Sequence, residues 1–142
     1  MTCAYSHEIA AHENAPRWMN EEHTLLLATL EDGWTWDDFH TAVDRAFLLI
    51  RNAKTYVDVI VELQGAPSAP MITMFEHVRG AMVERPSNYG HMVVVGASLA
   101  LRLMVGRMLE AFPDKKISLH YADTVQEAII RLNKARSETE RL

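Results

Sequence analysis

Ser68 lies in the run Gly65-Ala66-Pro67-Ser68-Ala69-Pro70, directly after the apolar stretch 57–63. Prolines close to it on both sides stiffen the backbone, so its hydroxyl is presented at low entropic cost. Such a serine has two readings: it caps the helix that follows or fills a tight turn, or it belongs to a recognition surface. Ser98, which follows Gly96-Ala97, has the same two readings. If 57–63 and 91–95 are parallel neighbouring strands, the loops after them share the carboxyl edge of one sheet. Ligands and partners favour that edge in open α/β sheets. Gln64, Pro67, Ser68, Ser98 and Arg102 then line one shallow surface.

Other residues have types suited to chemistry but not the arrangement. Asp37, His40 and Asp44 have a spacing a metal can use, yet they lie opposite an apolar helical stripe and read as a solvated face. Glu76 and His77 are adjacent on a helix and point apart, which makes a poor acid/base pair. The seven histidines show no H-x-x-x-H or H-E-x-x-H spacing. Cys3, the single cysteine, has no fixed base beside it and excludes an internal disulfide. The turn Gly96-Ala97-Ser98 lacks G-x-G-x-x-G. The expectation is a non-catalytic protein without metal or cofactor.

The elements that must position Ser68 are well punctuated. Residues 17–19, a turn at 20–22 and 23–30 predict a β-hairpin, closed by Asp32-Gly33. Thr35 with Asp38 has capping-box spacing, and Trp36, Phe39, Val43, Ala46, Phe47 and Ile50 mark a helical stripe. A β-branched strand follows at 57–63. There Val57, Val59 and Val61 face one way and Ile60 and Leu63 the other, while Asp58 and Glu62 limit burial. Pro70 suits the first turn of a second helix, with Met71, Met74, Phe75, Val78 and Met82 inward and Pro86 as its stop. Residues 91–95 predict a central strand, 99–112 a third helix, 117–121 another strand, and Asp123-Thr124 with Glu127 the start of a last helix. Trp36 reads as core and Trp34 as partly exposed and available to an interface.

The predicted order β-β-α-β-α-β-α-β-α is that of an α/β domain: a mixed, mostly parallel sheet, an amino-terminal antiparallel hairpin and about four helices. The reading is one domain over 17–136, a loose arm over 1–16 and a polar tail over 137–142, with fraying expected from Lys134 onward. A net charge of −5 gives no attraction to nucleic acid or anionic membranes. No apolar run is long enough to span a bilayer, and the first 22 residues lack a signal-peptide core. A cytoplasmic protein is expected. The third helix is apolar nearly all round, so its surplus face can pair with a second copy of the chain or another partner.

In this order, and in "WTWDDFHTAVDRA", "VDVIVELQG", "GHMVVVGAS" and "YADTVQEAIIRL", the chain resembles the STAS domains of the anti-sigma-factor antagonists from about His23 to Lys134. The resemblance implies a regulatory protein-interaction module rather than an enzyme. It also implies that Ser68, in the place of the family's switch residue, is phosphorylated by a partner kinase and that this breaks partner binding. Proline neighbours stand here where the family usually carries acidic and small residues. The partner is then a kinase or another anti-sigma-like regulator. The alternative is a small apolar-ligand (lipid-like) binding protein, marked by an enclosed cavity lined by Met71, Met74, Phe75 and Met104.

Overall fold

The computed structural model describes residues 15–68, 70–111 and 118–140, without the side chains of Met71, Thr139 and Glu140. The amino-terminal arm up to residue 14, Cys3 included, and residues 112 and 117, where the third helix is predicted to end and the last strand to begin, lie outside the described residues. Strand β1 (Arg17–Trp18) pairs antiparallel with β2 (Leu25–Glu31), as the hairpin signal predicts. The Met19 N–H donates to Leu25 O at 2.8 Å, and Trp18 stacks on His23 with ring centroids 4.4 Å apart.

Helix α1 (Trp36–Arg51) opens on the predicted capping box. Thr35 Oγ1 accepts from the Asp38 N–H, and the Asp38 carboxylate accepts from the Thr35 N–H at 2.9 Å. Strand β3 (Val57–Gln64), a 3₁₀ turn (Met71–Thr73), α2 (Met74–Glu84), β4 (Tyr89–Val95), α3 (Leu99–Glu110), β5 (Leu119–Ala122) and α4 (Val125–Glu140) follow. The fold is a single α/β domain with a five-stranded mixed sheet ordered β1-β2-β3-β4-β5 and parallel from β2 to β5.

That order decides where the helices go. Three crossovers of the same right hand, each stepping to the next strand in one direction, put α1, α2 and α3 on one face. Helix α4, which follows the edge strand β5, lies over the other face. The core divides accordingly. Leu26, Val57 and Val59 pack with Ala46, Phe47 and Ile50 of α1, while Leu27, Ile60, Val93, Val95 and Ala122 pack with Ala128 and Leu132 of α4. Each fully buried side chain of the Leu26, Ile50 and Ile60 kind contributes about 1.5–3 kcal/mol of transfer free energy.

Four expectations are corrected. Leu63 packs with Leu30, Trp34 and Val61, because strand alternation puts it on the odd-numbered face and not with Ile60. Asp58 does not stay near solvent: it is 3% exposed, since it has a cation of its own. Trp34 is 6% exposed, turned inward by the positive-φ turn at Gly33 and set edge-on against Trp36 at 5.4 Å. The polar run from Lys134 does not fray at once; α4 continues to Glu140, anchored by buried Ala135 and by Arg136. Among the described residues no helix is long and apolar enough to cross a membrane.

Candidate functional site

The loop after β3 is fastened to the turn after β2. The Gly33 N–H donates to Ala66 O at 2.8 Å, the Ala66 N–H to Asp32 Oδ1 at 3.0 Å, and the Ser68 N–H to Trp34 O at 2.8 Å. Gly65 sits at φ +138°, and a Cβ there would lie 2.5 Å from Asp32 Oδ1, so only glycine lets the loop approach. Farther along, Trp36 Nε1 donates to Pro70 O at 3.0 Å, and Thr73 Oγ1 donates to the same carbonyl at 2.9 Å. Ser68 is left exposed on a loop whose backbone is held from both ends.

Ser68 is not a helix cap. The 3₁₀ turn intervenes, α2 begins at Met74, and its N-cap Thr73 makes no side-chain cap bond. Its Oγ instead lies 3.5 Å from where a Cβ on Gly33 would be, next to the amino end of α1 rather than that of α2. Ser98 does cap: its Oγ accepts from the Leu101 N–H at 3.2 Å, and it too is exposed. Exposed Gln64 ends β3, and its side-chain amide donates to Glu62 Oε1 at 3.4 Å.

The expected surface divides in two. Arg102 turns toward β5, donating to Ala97 O at 3.2 Å, lying 4.8 Å over the Tyr121 ring and 3.7 Å from Asp123. Ser68 is pinned beside β2. Those strands are three positions apart, about 14 Å at the usual spacing, so Gln64, Pro67 and Ser68 share one place and Arg102 another. Ser98, between them, tips α3. The carboxyl edge also exposes apolar side chains: Ile72 is 92% exposed in the turn after Ser68, and Leu99 and Leu103, at the start of α3, are 73% and 62% exposed.

A cavity of about 610 Å³ lies on the face shared by α1 and α2. Its walls are Ala28, Leu30, Val59, Val61 and Met92 of the sheet, Phe39, Ala42, Val43, Ala46 and Phe47 of α1, and Val78, Ala81, Met82 and Val83 of α2. The expected lining was different. Met74 is in the core beside Trp34 and Trp36, Met104 and Phe75 are partly exposed, and the Met71 side chain is outside the described residues. Small residues explain the space: Ala28, Ala42, Ala46 and Ala81 come from three elements and together leave it unfilled. Arg85, Pro86, Ser87, Tyr89, Gly90 and Ser118 complete the lining.

Three polar constellations pass unnoticed in the sequence, because each joins residues far apart in the chain. Asp58 accepts from the His91 N–H at 2.8 Å and from Arg136 Nε at 2.5 Å. His40 Nε2 and His77 Nδ1 are 2.7 Å apart across α1 and α2, with His77 stacked on Trp36 at 4.5 Å. His40 is thus not simply part of a solvated face. Ser118 Oγ lies between His91 Nδ1 and His120 Nε2, the latter at 3.0 Å. Burial, with the nearby His91 and Arg131 adding to it, lowers the His120 pKa. Among the described residues no three His, Cys, Asp or Glu side chains gather as a metal site. No protein-family model, curated protein or solved structure matches this chain.

Proposed function

We propose that the chain is a non-catalytic regulatory module of STAS type that docks a protein partner at the carboxyl edge of its sheet, with Ser68 as the switch. The observation that carries this reading is the exposed apolar set Ile72, Leu99 and Leu103 at the same edge as the pinned, exposed Ser68. Large apolar side chains grouped beside polar ones mark interaction sites more often than bare surface. The strand order, with α1 to α3 on one face, is consistent with the STAS resemblance. Phosphorylation brings roughly −1.5 to −2 charges to a loop whose Ala66 N–H is already held by the Asp32 carboxylate. Like-charge repulsion then loosens the loop and alters the docking edge.

The test uses the full chain from its own host. Intact mass is expected to show a phosphate-sized adduct that disappears in Ser68→Ala. A partner retained by the immobilised wild-type chain is expected to be released by Ser68→Asp and by Ile72→Glu. An unmodified mass under every growth condition removes the switch, and retention of the same partner by Ile72→Glu and Leu99→Glu moves the docking site elsewhere.

A second reading, binding of a small apolar ligand, is favoured by a separate observation, the apolar cavity of about 610 Å³ between sheet, α1 and α2. Its volume lies within the roughly 300–1,000 Å³ usual for small-molecule sites.

A further inference from the structure

We infer that the cavity takes an amphipathic acid, an apolar chain laid along the sheet with its anionic group paired to Arg85. The inference rests on the second reading above and goes beyond it by naming the ligand's chemical class. Arg85 stands at the end of α2, just ahead of Pro86, and belongs to the cavity lining. Its Nη1 is buried and has no hydrogen-bond partner among the described residues. Arg85 as a whole is half-buried, but a buried guanidinium N–H without an acceptor is costly, and arginine does not relieve that cost by giving up its proton. An anion at this place would satisfy it, and a guanidinium fork suits carboxylate or phosphate oxygens.

The rest of the lining divides as such a ligand requires. Arg85, Ser87 and Tyr89 come from one short segment, the connection between α2 and the start of β4. They therefore gather at the amino edge of the sheet. Among the described residues Tyr89 Oη donates to the Met92 thioether at 3.3 Å, a weak acceptor, so its proton is available to a better one. Burial pushes the Tyr89 phenol well above the ordinary tyrosine range, which keeps it a neutral donor.

From that polar end the walls are apolar. Tyr89 pairs with Val57, and Leu30 pairs with Leu63, so the lining from Tyr89 to Leu30 runs along β3 from Val57 to Leu63, six steps of ~3.3 Å or about 20 Å. One polar end and a long apolar body describe a fatty acid or a lipid with a phosphate head. They do not describe a neutral hydrocarbon.

The test titrates the full-length protein with dodecanoate, dodecyl phosphate and dodecanol below their micellar concentrations, following binding by calorimetry. The wild-type chain is expected to bind at least one of the two acids tenfold or more tighter than the alcohol. Arg85→Leu is expected to bring the acids down to the alcohol's affinity, and Ala81→Trp to block all three by filling the cavity. Arg85→Lys, which keeps the charge, is expected to keep the preference, and it stands in if the leucine variant does not fold. Tighter dodecanoate identifies a free fatty acid, and tighter dodecyl phosphate a phospholipid-like head. Equal affinity of the wild-type chain for acids and alcohol, or an acid preference surviving in folded Arg85→Leu, overturns the inference while leaving an apolar-ligand site. No binding of any of the three by folded wild-type protein overturns the cavity reading itself.

Discussion

Asp58 shows how much one residue can depend on a partner far along the chain. In sequence it is a polar interruption in a β-branched strand, and the natural expectation is that it limits burial. In the fold it is buried, and Arg136, 78 residues on, donates to its carboxylate at 2.5 Å. The same carboxylate accepts the His91 N–H. It also requires the glycine beside it, because a Cβ at Gly90 would come within 2.3 Å of Asp58 Oδ1 and 3.1 Å of Val57 O. Spacing cannot reveal such a pair, since nothing local links a mid-strand acid to a base in the last helix. Removing one partner of a buried ion pair typically costs about 3–5 kcal/mol, because the remaining charge is left unpaired. Arg136 is partly exposed, so water offsets some of that penalty, and Arg136→Met is expected to destabilise by about 3 kcal/mol. Urea unfolding of the variant measures this. A loss below about 1 kcal/mol, the range of a surface ion pair, would mean that the contact does not anchor α4.

At the scale of elements, the helices that are most legible in sequence are those with a narrow, regular apolar stripe. The α1 stripe and its Thr35–Asp38 box predict both its start and the face it buries, and five of its residues are buried. The inward set of α4, Val125, Ala128, Ile129 and Leu132, all lies in or against one core cluster. Helices α2 and α3 are harder to read. In α2 large apolar side chains stand on more than one side, and Phe75 of its predicted inward set is 40% exposed. In α3 leucine and methionine occur nearly all round, and only Met74 and Met108 of the two helices are buried. The cavity also escapes the sequence, because alanines on three separate elements create it jointly. This contrast is testable with one kind of substitution at two sites. Ala128→Leu places three extra carbons in a fully buried position under the sheet and is expected to cost about 1–3 kcal/mol by overpacking. Ala81→Leu points the same volume at unfilled space and is expected to cost less than about 1 kcal/mol or to stabilise. Thermal unfolding of the two variants side by side reads the difference, and equal losses would mean that the space beside Ala81 is not available to a side chain.

For the molecule as a whole, these packing differences imply that the two faces of the sheet do not open together. The α4 face is a filled layer of Leu27, Ile60, Val93, Val95, Ala122, Ala128 and Leu132. The opposite face is covered where α1 lies on Leu26, Val57 and Val59 and where Leu30, Trp34, Trp36, Ala42 and Met74 pack together; elsewhere under α2 it borders the cavity, and α3 leaves Leu99 and Leu103 in solvent. Local opening is cheapest where few apolar contacts must be broken. Amides of α2 and α3 are therefore expected to exchange with solvent deuterium through local openings, at least tenfold faster relative to their intrinsic rates than those of β2, β3, α1 and α4. Denaturant should hardly affect that fast exchange, because local openings expose little surface. Exchange of the strands should instead accelerate with denaturant, following global unfolding. Both candidate functions use the more easily opened side: the docking edge includes the starts of α2 and α3, and the cavity is bounded by α2. Uniform protection across α1, α2, α3 and α4, with one shared denaturant dependence, would show a single cooperative unit. In that case partner or ligand would have to be admitted by something other than movement of α2.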